Sequence, residues 1–390
     1  MLGAVAGCGG SSDTIATGNV SQPPSSTTPS PAPMSATPKP ELLFAVLEAH
    51  GGHGTFPLLD DTVAIVGTDG VARAKATFDV RSRPVIGNAA PVLVPEARTA
   101  AGAVYYVDGH GTVRRLSVGA APTTVTTFSI LSGQSEFSFA VGPDGQHLVA
   151  SAFTFPPLGP PCSDPFCNPF TPGAPYKVDF QRADYGGAAA TVRHEERPQD
   201  NNAINHVPMV AGWIDSGPLM STDQVTGTQD LIGDRFWFGD VHRMDTTGLP
   251  GAVLGGAGCD AFAALHDGTV ACNNAQATPS LSVRAADGTV KWSGSTKGFI
   301  VYLALAPDGN SAAVRTVDGG TTVLESVGGK TVNLPASFIP QGFLDANTLV
   351  GITVSGVGQQ QGEMALVHAD SPDALHDLGF VGSFVGVVQG

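Results

Sequence analysis

Side chains able to do chemistry are sparse in this 390-residue chain and gather in a few polar or aromatic stretches. His194, Glu195 and Glu196 are followed by His206, then by Arg235, Phe236, Trp237, Phe238, Asp240 and His242. Imidazoles and carboxylates brought together could hold a metal or exchange protons. The aromatic members, with Phe166 and Phe170, could stack on a sugar, a peptide or a partner protein. The plainer account is separately solvated polar groups, with aromatics that pack their own loops onto the surface below. His50-Gly-Gly-His53 offers two imidazoles without a third ligand nearby, and Asp60-Asp61 reads as a turn. A nucleophile elbow, a zinc-protease helix, a phosphate loop and a dinucleotide fingerprint are all absent from the sequence. Motifs therefore assign no catalytic residue, no metal and no cofactor.

The cysteines point to a compartment. Cys162 and Cys167 lie five positions apart in a Pro-rich stretch, and Cys259 and Cys272 flank a hairpin turning near His266-Asp267-Gly268. Each pair is close enough to bridge locally, as suits an oxidising environment. A four-cysteine metal site would want CxxC spacing, which is missing.

What must position these residues is a set of strands. Gly 50 and Pro 30 are high while charged residues make up only 14%, which suits strands and turns better than helices. Residues Tyr302–Ala306, Ser311–Val317, Thr321–Val327 and Thr331–Leu334 are short strands closed by Pro-Asp-Gly, Asp-Gly-Gly and Gly-Gly turns. Four antiparallel strands in roughly 40 residues make one propeller blade. The same unit repeats along the chain, with inner strands starting near residues 91, 137, 207, 260, 302 and 339. Regular spacing separates this reading from a pair of unrelated β-sandwiches. The fold expected is an all-β propeller of seven four-stranded blades, with the C-terminal strand Ser383–Val388 closing the first. Long insertions at residues 156–175 and 221–239, with the polar connection 194–208 between them, should wall one side of the channel mouth.

Three resemblances add to this. The Pro-Asp-Gly-terminated inner strands at Pro143-Asp144-Gly145 and Pro307-Asp308-Gly309 resemble those of TolB-like and WD-repeat-like bacterial propellers. Residues Ala286 to Trp292 resemble the blade signature of quinoprotein propellers, but they occur once and imply no quinone. Near the N-terminus, Val5-Ala6-Gly7-Cys8-Gly9-Gly10 resembles the end of a bacterial lipoprotein signal peptide, although no basic residue precedes it. That resemblance implies a diacylglycerol on the Cys8 thiol. Residues 1–8 are then a signal remnant, 9–40 a disordered Ser/Thr/Pro tether, and 41–390 the propeller.

A formal charge of −15 argues against nucleic acid and leaves the lipid anchor as the contact with a membrane. The function expected is a lipid-anchored, extracytoplasmic scaffold of the cell envelope that binds a protein, a peptide or a glycan. The alternative is a propeller enzyme, such as a metal-dependent hydrolase, lactonase or lyase, with its site at the channel mouth. A third option is an assembly scaffold with a flat apolar face.

Overall fold

The computed structural model describes residues 41–48, 60–79, 97–131, 135–157, 159, 171–198, 207–224, 240–274, 280–317, 320–325, 329–353 and 362–388. Every regular element among them is a strand. Strands β1 (Leu43–Glu48), β2 (Asp61–Gly67) and β3 (Ala72–Phe78) come first. A four-stranded sheet follows, of β4 (Ala97–Ala100), β5 (Ala103–Val107), β6 (Thr112–Leu116) and β7 (Thr123–Thr127). The next holds β8 (Ser135–Val141), β9 (His147–Thr154), β10 (Tyr176–Asp184) and β11 (Ala190–Arg197). A third contains β12 (Val207–Ile214), β13 (Gly217–Gln224), β14 (Val241–Met244) and β15 (Pro250–Val253). The fourth is β16 (Asp260–Ala264), β17 (Val270–Asn274), β18 (Ser280–Arg284) and β19 (Val290–Ser295). The fifth is β20 (Ile300–Leu305), β21 (Ser311–Thr316), β22 (Thr321–Glu325) and β23 (Thr331–Leu334). Last come β24 (Phe338–Phe343), β25 (Thr348–Thr353), β26 (Gly362–His368) and the long β27 (Ser371–Val388).

Strand β27 belongs to two sets at once. Residues from Ser371 to Gly382 pair with β26, and residues from Ser383 to Val388 pair with β1. One sheet of seven strands results, in the order β24-β25-β26-β27-β1-β2-β3. The C-terminal strand thus supplies the first strand that the β1–β3 set lacks, and the ring of sheets closes. Close packing at the seam rests on glycine. A Cβ at Gly382 would stand 2.4 Å from Val46 Cγ1, and one at Gly342 would stand 2.1 Å from the Phe384 ring. The Phe384 amide donates to Gln341 Oε1 at 2.7 Å, which ties the returning strand to β24. Closure covers the edge of β1 that would otherwise stand open to a foreign chain.

Apolar side chains alternate with the pleat and meet between neighbouring sheets rather than within one. Tyr105, Val107 and Phe128 pack against Phe137, Phe139 and Leu148 in one such layer. Leu281, Val283 and Ala271 pack against Ile300, Leu303 and Val314 in another. Truncating a wholly buried ring such as Phe139 to alanine would cost roughly 3–5 kcal/mol.

Polar staples set the angle between sheets. Ser138 Oγ donates to the Val210 carbonyl at 2.6 Å and Ser151 Oγ accepts from the Val210 amide at 2.9 Å, so two serines hold both backbone groups of one residue on β12. The register of β12 against β13 shifts there, between Val210 and Gly212. The two Pro-Asp-Gly turns are used similarly. Gly145 and Gly309 sit at φ values of 68° and 70°, open to glycine without strain. Their carbonyls accept from Tyr105 Oη at 3.3 Å and from Trp292 Nε1 at 2.7 Å, each donor reaching over from the preceding sheet. Trp292, read in the sequence as part of a quinoprotein-like signature, is a docking peg.

Candidate functional site

Successive strands reverse direction, so the start of a sheet's first strand and the end of its second lie along one edge, the leading edge. The sequence places its long insertions there, between β9 and β10 and between β13 and β14. The base of the first is well built. The Thr171 amide donates to the Pro157 carbonyl at 2.8 Å, and beneath it Phe153 stacks on Tyr176 with Phe155 edge-on to both.

Three polar residues stand in a row on this edge. Asp240, just ahead of β14, forms an isolated antiparallel bridge with Asp260, the first residue of β16. Asp260 is directly opposite Asn273 on β17. Directly opposed antiparallel residues project to one face with Cβ atoms about 4.5–5.5 Å apart, so the two carboxylates and the amide are neighbours. Exposure falls along the row: Asp240 is exposed, Asp260 half-buried, and Asn273 only 1% exposed. Both Asn273 side-chain atoms, Oδ1 and Nδ2, are buried without a hydrogen-bond partner. Burial first, and the neighbouring Asp240 charge second, hold the Asp260 carboxyl above the usual carboxylate range. Among the described residues neither carboxylate has an ion-pair partner. The Cys259–Cys272 disulfide, one residue before each of Asp260 and Asn273, locks their two strands together.

A second unpartnered group lies on an innermost strand. Arg98, the second residue of β4, donates through Nε to the Phe139 carbonyl at 3.0 Å. Its Nη2 atom is buried with no partner. Burial, with no compensating anion, brings the guanidinium pKa down to about 10. Arg315, near the leading end of β21, looks alike but leaves no buried nitrogen without a partner. Its Nη1 donates to the Ala336 carbonyl at 2.7 Å, to the Phe338 carbonyl at 3.2 Å and to Thr321 Oγ1 at 3.2 Å. Asp108, 5% exposed, is similarly occupied, accepting from the His110 and Thr112 amides at 3.0 Å each.

The residues singled out in the sequence divide into three groups. Cys8, Cys162, Cys167, Phe166, Phe170, His206, Arg235, Phe236, Trp237 and Phe238 lie outside the described residues. His194, Glu195 and Glu196 are on β11, the outermost strand of its sheet, and not on a connection over the channel mouth as the polar run suggested. Alternation along a strand explains their spacing. His194 Nδ1 meets Asp179 Oδ1 at 2.8 Å, Glu196 faces Lys177 at 3.7 Å, and Glu195 pairs with Arg193 and Arg197. His242 is on β14, with Nδ1 on the Gly251 carbonyl at 2.9 Å, and only Asp240 joins the row described above. Ser221 to Gln224, assigned from sequence to an insertion, continue β13. Among the described residues no three His, Cys, Asp or Glu groups converge on a metal position.

Sequence reasoning passed over Asp260, Asn273 and Arg98. Asp260 and Asn273 each follow a cysteine of the bridged pair, and that adjacency was the available signal. Arg98 carried none: a single arginine in Ala-Arg-Thr-Ala is unremarkable until its strand proves to be innermost.

No protein-family model and no curated protein matches the chain. Solved structures do. Oligogalacturonate lyase in complex with manganese is 14% identical over 78% of this chain and 81% of that one, with a TM-score of 0.47. TolB from Acinetobacter baumannii is 13% identical over 88% of this chain and 65% of its own, with a TM-score of 0.37. Apo AztD from Citrobacter koseri is 11% identical over 89% and 97%, with a TM-score of 0.39. These are likenesses of fold, and the fold they accompany is the all-β propeller.

Proposed function

We propose that this chain is an extracytoplasmic binding propeller of the cell envelope, tethered through a lipid on Cys8, that takes a carboxylate-bearing peptide or glycan at the leading edge of its ring. The observation that carries the reading is Arg98. Arg98 is half-buried with its Nη2 buried and unpartnered, which is unfavourable for folding alone, and an incoming anion would supply the missing partner. The Cys259–Cys272 disulfide supports an oxidising compartment. An enzyme of the hydrolase, lactonase or lyase kind would want further acid, base or metal-binding groups beside the two carboxylates brought together here.

The test is an array of acidic peptides and carboxylate-bearing glycans printed beside their neutral amides. Wild-type protein should retain the acidic members, and Arg98→Met should weaken retention by at least roughly tenfold, the loss of one charge-assisted contact. The same substitution relieves an unpartnered nitrogen but also takes the Nε donor from the Phe139 carbonyl, so it should lower stability less than loss of a fully bonded arginine would. Equal retention of acids and neutral amides, or an Arg98→Met protein that binds as well as wild type, would defeat the proposal. For the anchor, Cys8→Ser should move the full chain from the membrane pellet to the soluble fraction.

A further inference from the structure

We propose that Asp240, Asp260 and Asn273 form a site for a hard divalent cation, calcium before magnesium. The site is separate from Arg98, so each proposal stands or fails without the other.

The row in which these residues stand places two carboxylates and one amide on a single face at cross-strand spacing. Two like charges side by side are unfavourable, and no described lysine, arginine or histidine pairs with either of them. Next to Asp260, a buried amide leaves both its oxygen and its nitrogen unused. A cation answers the first deficit and half of the second: it neutralises the pair and takes the Asn273 oxygen as a ligand. All three donors are oxygens, the set that hard cations prefer, and water can complete six to eight ligands from the exposed Asp240 side. Calcium is favoured because magnesium demands near-octahedral geometry and gives up its water reluctantly, whereas a cross-strand row fixes ligands in a line. The disulfide next to Asp260 and Asn273 holds two of the three carriers at fixed register before any ion arrives. Such an ion would also bridge the lead-in to β14 and the start of β16, which belong to neighbouring sheets.

The experiment is isothermal titration of the full chain, purified and then stripped with chelator, using calcium chloride and separately magnesium chloride. We expect one calcium per chain, with a dissociation constant on the order of 10⁻⁴ to 10⁻³ M, the range of extracellular modules. Asp260→Asn and Asn273→Val should each weaken it by roughly tenfold or more. Asp240→Asn changes an exposed residue and cannot be dismissed as a folding defect; it should weaken binding by a similar factor. Calcium should raise the melting temperature of wild type, and raise that of Asp240→Asn less at the same concentration. Absence of binding up to about ten times the weaker limit, or binding that none of the three substitutions changes, overturns the assignment. A water filling the gap beside Asn273 would give the first of these results.

Discussion

Two sets of polar side chains in the ring are of the same chemical kinds and are treated in opposite ways. Arg315 fixes the β21–β22 pair to the start of β24 through two carbonyls and a hydroxyl, and Gln181 clasps one residue of the adjacent sheet with both ends of its amide. The Gln181 Oε1 accepts from the Ser129 amide and its Nε2 donates to the Ser129 carbonyl, each at 2.8 Å. Arg98 and Asn273 have equivalent chemistry, yet Arg98 leaves one nitrogen unused and Asn273 leaves its whole amide unused. For the two amides, Gln181 at 2% exposed and Asn273 at 1%, burial is not what separates them; satisfaction is. A buried polar group with all its partners is part of the framework, and one without them has capacity left for a water or a ligand.

The largest effect should come from breaking the framework member with most partners. Arg315→Met leaves the Ala336 carbonyl without its donor in a region where Arg315 itself is 6% exposed. Loss of this charged network should lower stability by roughly 3 kcal/mol in urea titration, with the midpoint falling and the slope unchanged. Arg98→Met, which takes one donor from the Phe139 carbonyl and relieves one unpartnered nitrogen, should cost clearly less. If both substitutions destabilise equally, the distinction between the two sets is lost.

Gln181→Leu tests the same idea on an amide. It orphans the Ser129 amide and carbonyl together, at a position 2% exposed, and should cost about 2 kcal/mol. Gln181→Glu should recover little, because a carboxylate can accept from the amide but cannot donate to the carbonyl.

The strand framework was legible in the sequence because turn chemistry is local. Asp-Gly and Pro-Asp-Gly mark where hairpins reverse, and apolar runs between them set five inner strands to within about two residues of Ser135, Val207, Asp260, Ile300 and Phe338. The one expected near residue 91, outside the described residues, precedes β4, which begins at Ala97. The closing strand was legible too, since Ser383–Val388 has strand composition and no partner of its own nearby in sequence. The site was not. Asp240 meets Asp260 only because β14 and β16 lie in adjacent sheets, and the free amide of Asn273 depends on what fails to reach it. His194, Glu195 and Glu196 show the converse. A polar run that looks like a loop can be the outward strand of a sheet, where solvent makes polar residues acceptable on both faces.

Asn273→Val carries the comparison to the unsatisfied amide and should have the opposite sign from Gln181→Leu. With calcium absent, replacing an unpartnered buried amide by an apolar side chain removes a desolvation penalty and should stabilise by about 1 kcal/mol. A loss of stability as large as that of Gln181→Leu would mean Asn273 belongs to the framework after all.

The smallest effects sharpen the rule by grading it. Trp292 and Tyr105 each cap the carbonyl of a turn glycine in the following sheet, but at 2.7 Å and 3.3 Å. Both are framework donors, so both should destabilise when the donor alone is removed. The shorter contact is within the normal range for N–H···O, whereas the longer one is past the usual limit for O–H···O. Trp292→Phe should therefore cost about 1 kcal/mol from the hydrogen bond, plus the packing lost with the smaller ring. Tyr105→Phe keeps a ring of nearly the same volume and removes only the long bond, so its cost should be about 0.5 kcal/mol. Urea titration of the two variants side by side checks the order. A larger loss for Trp292→Phe than for Tyr105→Phe would show that partner geometry, and not burial alone, sets the contribution of each polar group to this ring.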